Sequence, residues 1–315
     1  KKIVISAVNL KVGGTLTILR DCLRHLSGLA ATGEYQASLW CMTESSRLSP
    51  RRVYRTEMAK KNWFNRLWCE YVAMRKISVR LAPVYLWLSL HDTTPNVKAQ
   101  RRAVYCHNSF PFYRWKMKEI LFAPRIVLFY YSPNTRMINI HRNSYIIVQQ
   151  QWFREAFAHW FQLSAESIIV APPVLQRQPP TKKKLDVSSV EMNKDEYSFL
   201  YAATSDSHKN FECICRAAVL LQQKMPELKF KVYITVKGDE NAYTRWLYSH
   251  WGDVPALAFI GYLSKEQLYA YYQQSNCLIF ASKVETWGLP ITEFRFSINR
   301  CFCPIFRMRT KLLPA

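Results

Sequence analysis

Glu285 and Glu293 flank the run Thr286-Trp287-Gly288-Leu289-Pro290-Ile291-Thr292. An apolar strand pattern, CLIFAS from Cys277, leads into the pair; Gly288-Leu289-Pro290 makes a turn, and Pro290 opens a helix with Glu293 in its first turn. This geometry presents two negatively charged hydrogen-bond acceptors from one loop-helix unit. Glutamates at this spacing also occur by chance, and a carboxylate in a first turn can simply complement the helix dipole. The strand, glycine and proline around the pair make the pattern specific.

Other reactive residue types fall where strands end. In Ser205-Asp206-Ser207-His208-Lys209-Asn210-Phe211 a lysine stands at the start of a long helix running to about Lys224, a position the dipole disfavours unless an anion sits there. A solvated surface lysine is the plainer alternative. After the first strand, Lys11-Val12-Gly13-Gly14-Thr15 pairs two glycines, which let backbone N–H groups approach a phosphate, or which make an ordinary strand-to-helix turn. His107, in Tyr105-Cys106-His107-Asn108, offers an imidazole to a sugar or phosphate, although a lone histidine also serves as a structural hydrogen-bonder. His91-Asp92 is a weaker instance of the same pattern.

The elements that position these residues follow a strand-helix alternation, which predicts an α/β fold with parallel sheets. Strands are expected at Ile3–Ala7, Gln36–Cys41, Val84–Leu90, Ala103–Cys106 and Tyr145–Gln149, then at Ser198–Ala202, Phe230–Thr235, Ala258–Ile260 and Cys277–Ala281. Leu16, Ile18, Leu19, Leu23 and Leu26 give the first helix an inward face, with Gly28 as its C-terminal cap, and Ser264 with Gln267 forms a capping box. A proline-rich, charged stretch separates the halves, giving an N-terminal domain at 1–172, a linker at 173–196 and a C-terminal domain at 197–315. In open parallel sheets ligands bind beyond the carboxyl ends of strands, where the residues above fall.

Taken together, the glutamate pair in ETWGLPITE, the His208-Lys209-Asn210 segment and the Gly13-Gly14 loop, in this order, resemble family 4 glycosyltransferases; YCHN and IIVQQQWFREAF are similar to members acting on bacterial polysaccharide and O-antigen. The resemblance implies two Rossmann-like domains facing a cleft (the GT-B fold), a retaining reaction, a nucleotide-sugar donor and a glycan or lipid-linked acceptor. By the same resemblance Glu293 holds the donor ribose, and Glu285 contacts the transferred sugar or steadies its oxocarbenium charge. Lys209 neutralises the leaving diphosphate, a task that needs a fixed cation. Gly13 and Gly14 offer backbone to the phosphates, His107 lines the sugar pocket, and Asn210, Gly288 and Leu289 complete the donor contacts. The arginine common in the family before the lysine-bearing turn is missing, since the strand ends Tyr201-Ala202-Ala203-Thr204. No Asp-x-Asp occurs, so no metal or cofactor is expected.

Composition bounds these expectations. A chain of 315 residues, 49% hydrophobic with only 8 glycines, is a globular protein of two cores rather than a disordered or repeat chain. The longest uncharged apolar stretches, Leu81–Leu90 and Ile126–Tyr131, fall short of the ~20 residues of a membrane span, and no signal peptide is read. Nine scattered cysteines fit a reducing, cytoplasmic setting. The formal charge of +22 should attract polyanions. A non-enzymatic nucleic-acid binder is the alternative this prompts, but the basic residues are dispersed and no nucleic-acid motif is present, so no nucleic-acid partner is expected. The favoured partner is the anionic inner face of a membrane, met by Lys60 to Trp68, where cations mix with large aromatics; the same segment also suits a helix packed on its own domain.

From about 297 the text becomes SINRCFCPIFRMRTKLLPA, where the family enters another strand. One allowed choice of codons, read two nucleotides later, gives HKPVFLPDFPYAHETVA, which is similar to the family's continuation. The expectation is a frameshifted tail, an incomplete second domain and an inactive chain, compatible also with a catalytically dead relic.

Overall fold

In the computed structural model the described residues are 1–8, 10, 14–41, 53–55, 63–113, 116–122, 138–173, 192–193 and 195–297. The expectations for Gly13, for most of the linker and for the tail beyond 297 lie outside them.

The chain forms two compact units. The first carries a seven-stranded sheet built from β1 (Lys2–Ala7), β2 (Gln36–Cys41), β3 (Val53–Arg55), β4 (Leu86–Ser89), β5 (Arg101–Tyr105), β6 (Tyr145–Val148) and β7 (Ile168–Val170), in the order β3-β2-β1-β4-β5-β6-β7. The described strand pairs are all parallel. Alternate residues of β1 feed opposite faces: Ile3, Ile5 and Ala7 pack against Leu19, Leu23 and Leu26 of α1 (Gly14–Ala31), while Val4 packs with Cys69, Met74 and Trp87. Helices on both faces are what a parallel sheet requires. The second face is covered by a π-helical stretch (Cys69–Ala73) and α3 (Met74–Arg80), which continue α2 (Trp63–Trp68) without leaving helical dihedrals.

The second unit repeats this plan with β8 (Tyr197–Tyr201), β9 (Phe230–Ile234), β10 (Leu257–Phe259) and β11 (Cys277–Leu278) in the parallel order β10-β9-β8-β11. On one face α5 (Phe211–Lys224) and α6 (Ala242–Trp251) bury Phe211, Ile214, Tyr243 and Leu247 against Val232 and Ile234. On the other, α7 (Lys265–Gln274) and α8 (Leu289–Ser297) bring Tyr272 and Phe294 onto Leu200 and Leu278. In both sheets the chain works outward in one direction and then returns to the other side of its first strand, so strand order reverses between β1 and β4 and again between β8 and β11. These reversals are the topological switch points of two Rossmann-like units.

Several expectations change. Gly28 does not cap α1, which continues to Ala31; the left-handed residue that follows is Gly33, at φ 79°. Glu293 is the fifth residue of α8, one position past the first turn. β3 and β7 are three residues each, too short to show an alternating pattern. Tyr113 and the short α4 (Met117–Phe122) fall in the second unit, not the first, because Phe122 packs on Tyr243 and Trp246. The capping box of Ser264 and Gln267 forms as expected.

Candidate active site

The second switch point builds its site from two strand ends. Beyond β8 the chain makes a 3-10 turn at Ser207–Lys209 and passes through Asn210, at φ 62°, into α5. Asparagine is among the few residues that take this left-handed conformation readily. Its side chain then holds the neighbouring strand end, the Asn210 Nδ2 donating to the Ala281 carbonyl at 3.1 Å. Beyond β11 the Lys283 N–H donates to the His208 carbonyl at 2.9 Å, and Ser282 Oγ lies 3.1 Å from the Tyr201 hydroxyl. The 207–210 turn and the 281–285 loop are therefore stitched together.

That stitching brings Lys209 to Glu285, whose side chains form a salt bridge and are each 16% exposed. Lys209 is thus not a solvated surface lysine: the anion that offsets its unfavourable place at a helix start is Glu285. His208 beside it is buried, and burial, followed by the charges of Lys209 and Lys283, pushes its pKa down to about 3, so the ring is neutral.

Gly288 turns the chain into α8 at φ 81°, where a Cβ would sit 3.2 Å from both Ile291 Cδ1 and Phe280 Cζ. Only glycine meets both demands without strain. Leu289 and Pro290 open the helix, and the Trp287 indole N–H donates to Thr292 Oγ1 at 3.2 Å. Phe294, 1% exposed, meets Tyr272 edge-on with ring centroids 5.7 Å apart and anchors the helix. Glu293 next to it takes a different partner from Glu285, the Tyr272 hydroxyl at 3.4 Å. Burial raises the Glu293 pKa, with Lys265 and Tyr272 opposing.

A second ion cluster, unforeseen from sequence, adjoins the pair. Lys283 Nζ donates to Glu119 Oε1 at 2.6 Å and to Glu212 Oε1 at 2.9 Å. Glu212 lies in the first turn of α5, three residues after Lys209, which was a readable hint; Glu119 comes from α4 and had no local signal.

In the first unit, Gly14 is the first residue of α1, seven residues on from the β1 end at Ala7, and His107 follows β5. His107 Nε2 lies 3.0 Å from the Leu90 carbonyl, which can only accept, so Nε2 carries the proton and Nδ1 is an acceptor. Nδ1 is buried without a partner, and burial lowers the ring's pKa. The His107 N–H and the Asn108 N–H both donate to Asp92 Oδ1, at 2.5 and 3.0 Å. His107 is therefore both a structural hydrogen-bonder and the owner of one unused acceptor. His91 differs: its ring meets Ser6 at 3.1 Å and Thr93 at 2.8 Å, with Glu70 at 3.5 Å, and its role is in the core. Among the described residues no group of three or more His, Cys, Asp or Glu is placed to hold a metal.

Solved structures with the same fold include WaaG, a glycosyltransferase involved in lipopolysaccharide biosynthesis (TM-score 0.64, 12% identity, 94% of this chain and 79% of that one). Sucrose-phosphate synthase from Thermosynechococcus elongatus aligns with a TM-score of 0.62 at 15% identity, over 93% of this chain and 78% of that one. HepE from Anabaena, solved with UDP-glucose, aligns at 0.60 with 12% identity, over 94% and 78%. No curated protein matches by sequence. The chain shares its α/β fold with these structures, and residues 182–294, which hold Lys209, Glu285 and Glu293, match the family model of the glycosyl transferases group 1.

Proposed function

We propose that this protein is a retaining glycosyltransferase of the family 4 kind, moving a sugar from a nucleotide-sugar donor to a glycan or lipid-linked acceptor in surface polysaccharide synthesis. The observation that carries the reading is the meeting of Lys209 and Glu285 at a topological switch point, inside the segment that matches group 1 glycosyl transferases. HepE, of the same fold, was solved with UDP-glucose, which supports a nucleotide-sugar donor here.

In this reading the bond between the sugar's anomeric carbon and the diphosphate breaks, and negative charge grows on the leaving group. Lys209, fixed by the 207–210 turn, neutralises it, aided by the N–H groups opening α5. Glu285, on the same pair, faces the positive charge that develops on the sugar. Glu293 accepts the ribose hydroxyls in place of its long bond to Tyr272. Asn210, Gly288 and Leu289 hold the backbone of these contacts, and the free Nδ1 of His107 is suited to a sugar hydroxyl. Lysine and helix ends supply the charge, so the scheme calls for no metal.

Calorimetry with a panel of nucleoside diphosphates tests the assignment. Glu293→Ala and Lys209→Ala should each weaken binding by about 1.5–3 kcal/mol, the scale of one charge-assisted hydrogen bond; unchanged affinity in both would sink it.

A cytoplasmic protein resting on an anionic inner membrane face is the setting we propose. On the helix running from Trp63 to Arg80, Phe64, Trp68, Val72 and Val79 are 79%, 44%, 39% and 50% exposed, with Arg75, Lys76 and Arg80 exposed among them. An apolar stripe flanked by cations is the pattern of an interfacial helix. Among the described residues no helix is long and apolar enough to cross a membrane.

A further inference from the structure

Lys283 stands two residues before Glu285, and its surroundings are unusually complete. Its side chain is 18% exposed, between Glu119 at 6% and Glu212 at 20%. Each carboxylate oxygen of the cluster is occupied. Tyr113 reaches both oxygens of Glu119, at 2.8 and 2.9 Å, and the Lys116 N–H donates to Oε2 at 2.9 Å. Tyr243 donates to the Glu212 oxygen that Lys283 does not use. Burial, and then the adjoining carboxylates, push the pKa of both tyrosines well up, so they remain donors.

One cation between two carboxylates leaves the cluster net negative, which rules it out as a phosphate site. A buried ion pair is also a poor source of net stability, because desolvation offsets most of its attraction. What the cluster does provide is direction. Lys283 ties its loop to α4 and to the first turn of α5 by its side chain, and to the lysine-bearing turn by its backbone bond to His208. Lys209 and Glu285 hang from these same two segments.

We infer that Lys283 is a positioning residue: clamped between Glu119 and Glu212, it fixes the 281–285 loop so that Glu285 stands against Lys209. It touches neither donor nor acceptor, and α4, through Glu119, becomes part of the scaffold of the donor site. The kinetic part of this inference rests on the transferase reading; the structural part does not.

Hydrogen exchange on the full chain tests the structural part without any substrate. In Lys283→Met the amides of 282–286 should exchange at least about tenfold faster, while β8 and β9 keep their protection, since opening of this loop is local. Lys283→Arg, which retains the charge and donors, should stay near the unaltered chain. Should Lys283→Met fail to fold, Glu119→Gln weakens one arm only and should give a smaller acceleration in the same segment. Unchanged exchange of 282–286 in whichever variant folds overturns the inference. With a donor in hand, Lys283→Met should lower kcat at least tenfold with a smaller change in the donor KM, and Lys283→Arg should restore most of it; equal kcat in Lys283→Met would also overturn it. A loosened loop in the variant, together with no turnover by the unaltered chain, supports the positioning role and counts against the transferase reading instead.

Discussion

Lys209 and Glu285, 76 residues apart in the chain, are joined by their side chains where β8 and β11 end. In this state the cation that the proposed reaction assigns to a diphosphate is already neutralised by a carboxylate, so on that reading a nucleotide must displace Glu285 to reach it. Glu285→Gln keeps the shape and removes the competing charge. Its affinity for the nucleoside diphosphate that the chain binds best should rise about tenfold, the worth of one weakened charge-assisted bond, while sugar transfer falls. Titration calorimetry reads both nucleotide affinities, and equal or weaker binding by Glu285→Gln would contradict the exchange.

Gly288 should tolerate no side chain. Gly288→Ala puts a Cβ at φ 81° against Ile291 and Phe280, at a cost of about 1–3 kcal/mol in urea unfolding. Phe294→Ala, which empties the contact with Tyr272 beneath α8, should cost about 3–5 kcal/mol. Glu293 rides on this helix, so both variants should also lose nucleotide affinity; wild-type affinity in either would show that the helix does not set the site.

Acid stability should depend on Glu70. Burial would raise its pKa, but the bonds and charges of His91 and Arg66 prevail and lower it from 4.5 to about 2. The folded state therefore favours the carboxylate: the stabilisation is full above pH 4.5 and is lost as pH falls from there toward 2. Glu70→Gln should be less stable at neutral pH by on the order of 3 kcal/mol, the gap closing toward pH 2. Urea unfolding at neutral pH and near pH 3 checks this, and a gap that does not narrow in acid would refute it.

The exposed stripe from Phe64 to Val79 should bind anionic membranes. Sedimentation with liposomes containing phosphatidylserine should carry the protein down, less so in high salt, and neutral liposomes should not. Phe64→Ser with Trp68→Ser should stay in the supernatant. Equal recovery with both lipids would remove the membrane from the account.

Much of this was legible in the sequence. The apolar runs of β1, β2, β6, β8 and β9 were read to within a residue or so at each end, because buried parallel strands are dense in large side chains. Lys209, Asn210, Glu285 and Gly288 were legible as strand-end residues. What sequence could not supply was pairing across distance. Nothing near Glu119 points to Lys283, 164 residues on, and nothing local says that Glu293 would face Tyr272 rather than Lys209. α1 was cut short at Gly28 because glycine is a weak helix former, yet the packing of Leu23 and Leu26 carries the helix on to Ala31.

A donor screen that follows nucleoside diphosphate release, run on the unaltered chain and on Lys209→Ala, tests the central claim most directly. The transferase reading predicts, against the expectation of an inactive chain drawn from the tail, release from at least one nucleotide sugar, dependent on an acceptor glycan or lipid-linked sugar and about a hundredfold slower in Lys209→Ala, as for loss of one fixed charge at a developing anion. Release at the same rate in both proteins, or none from any donor, would contradict it.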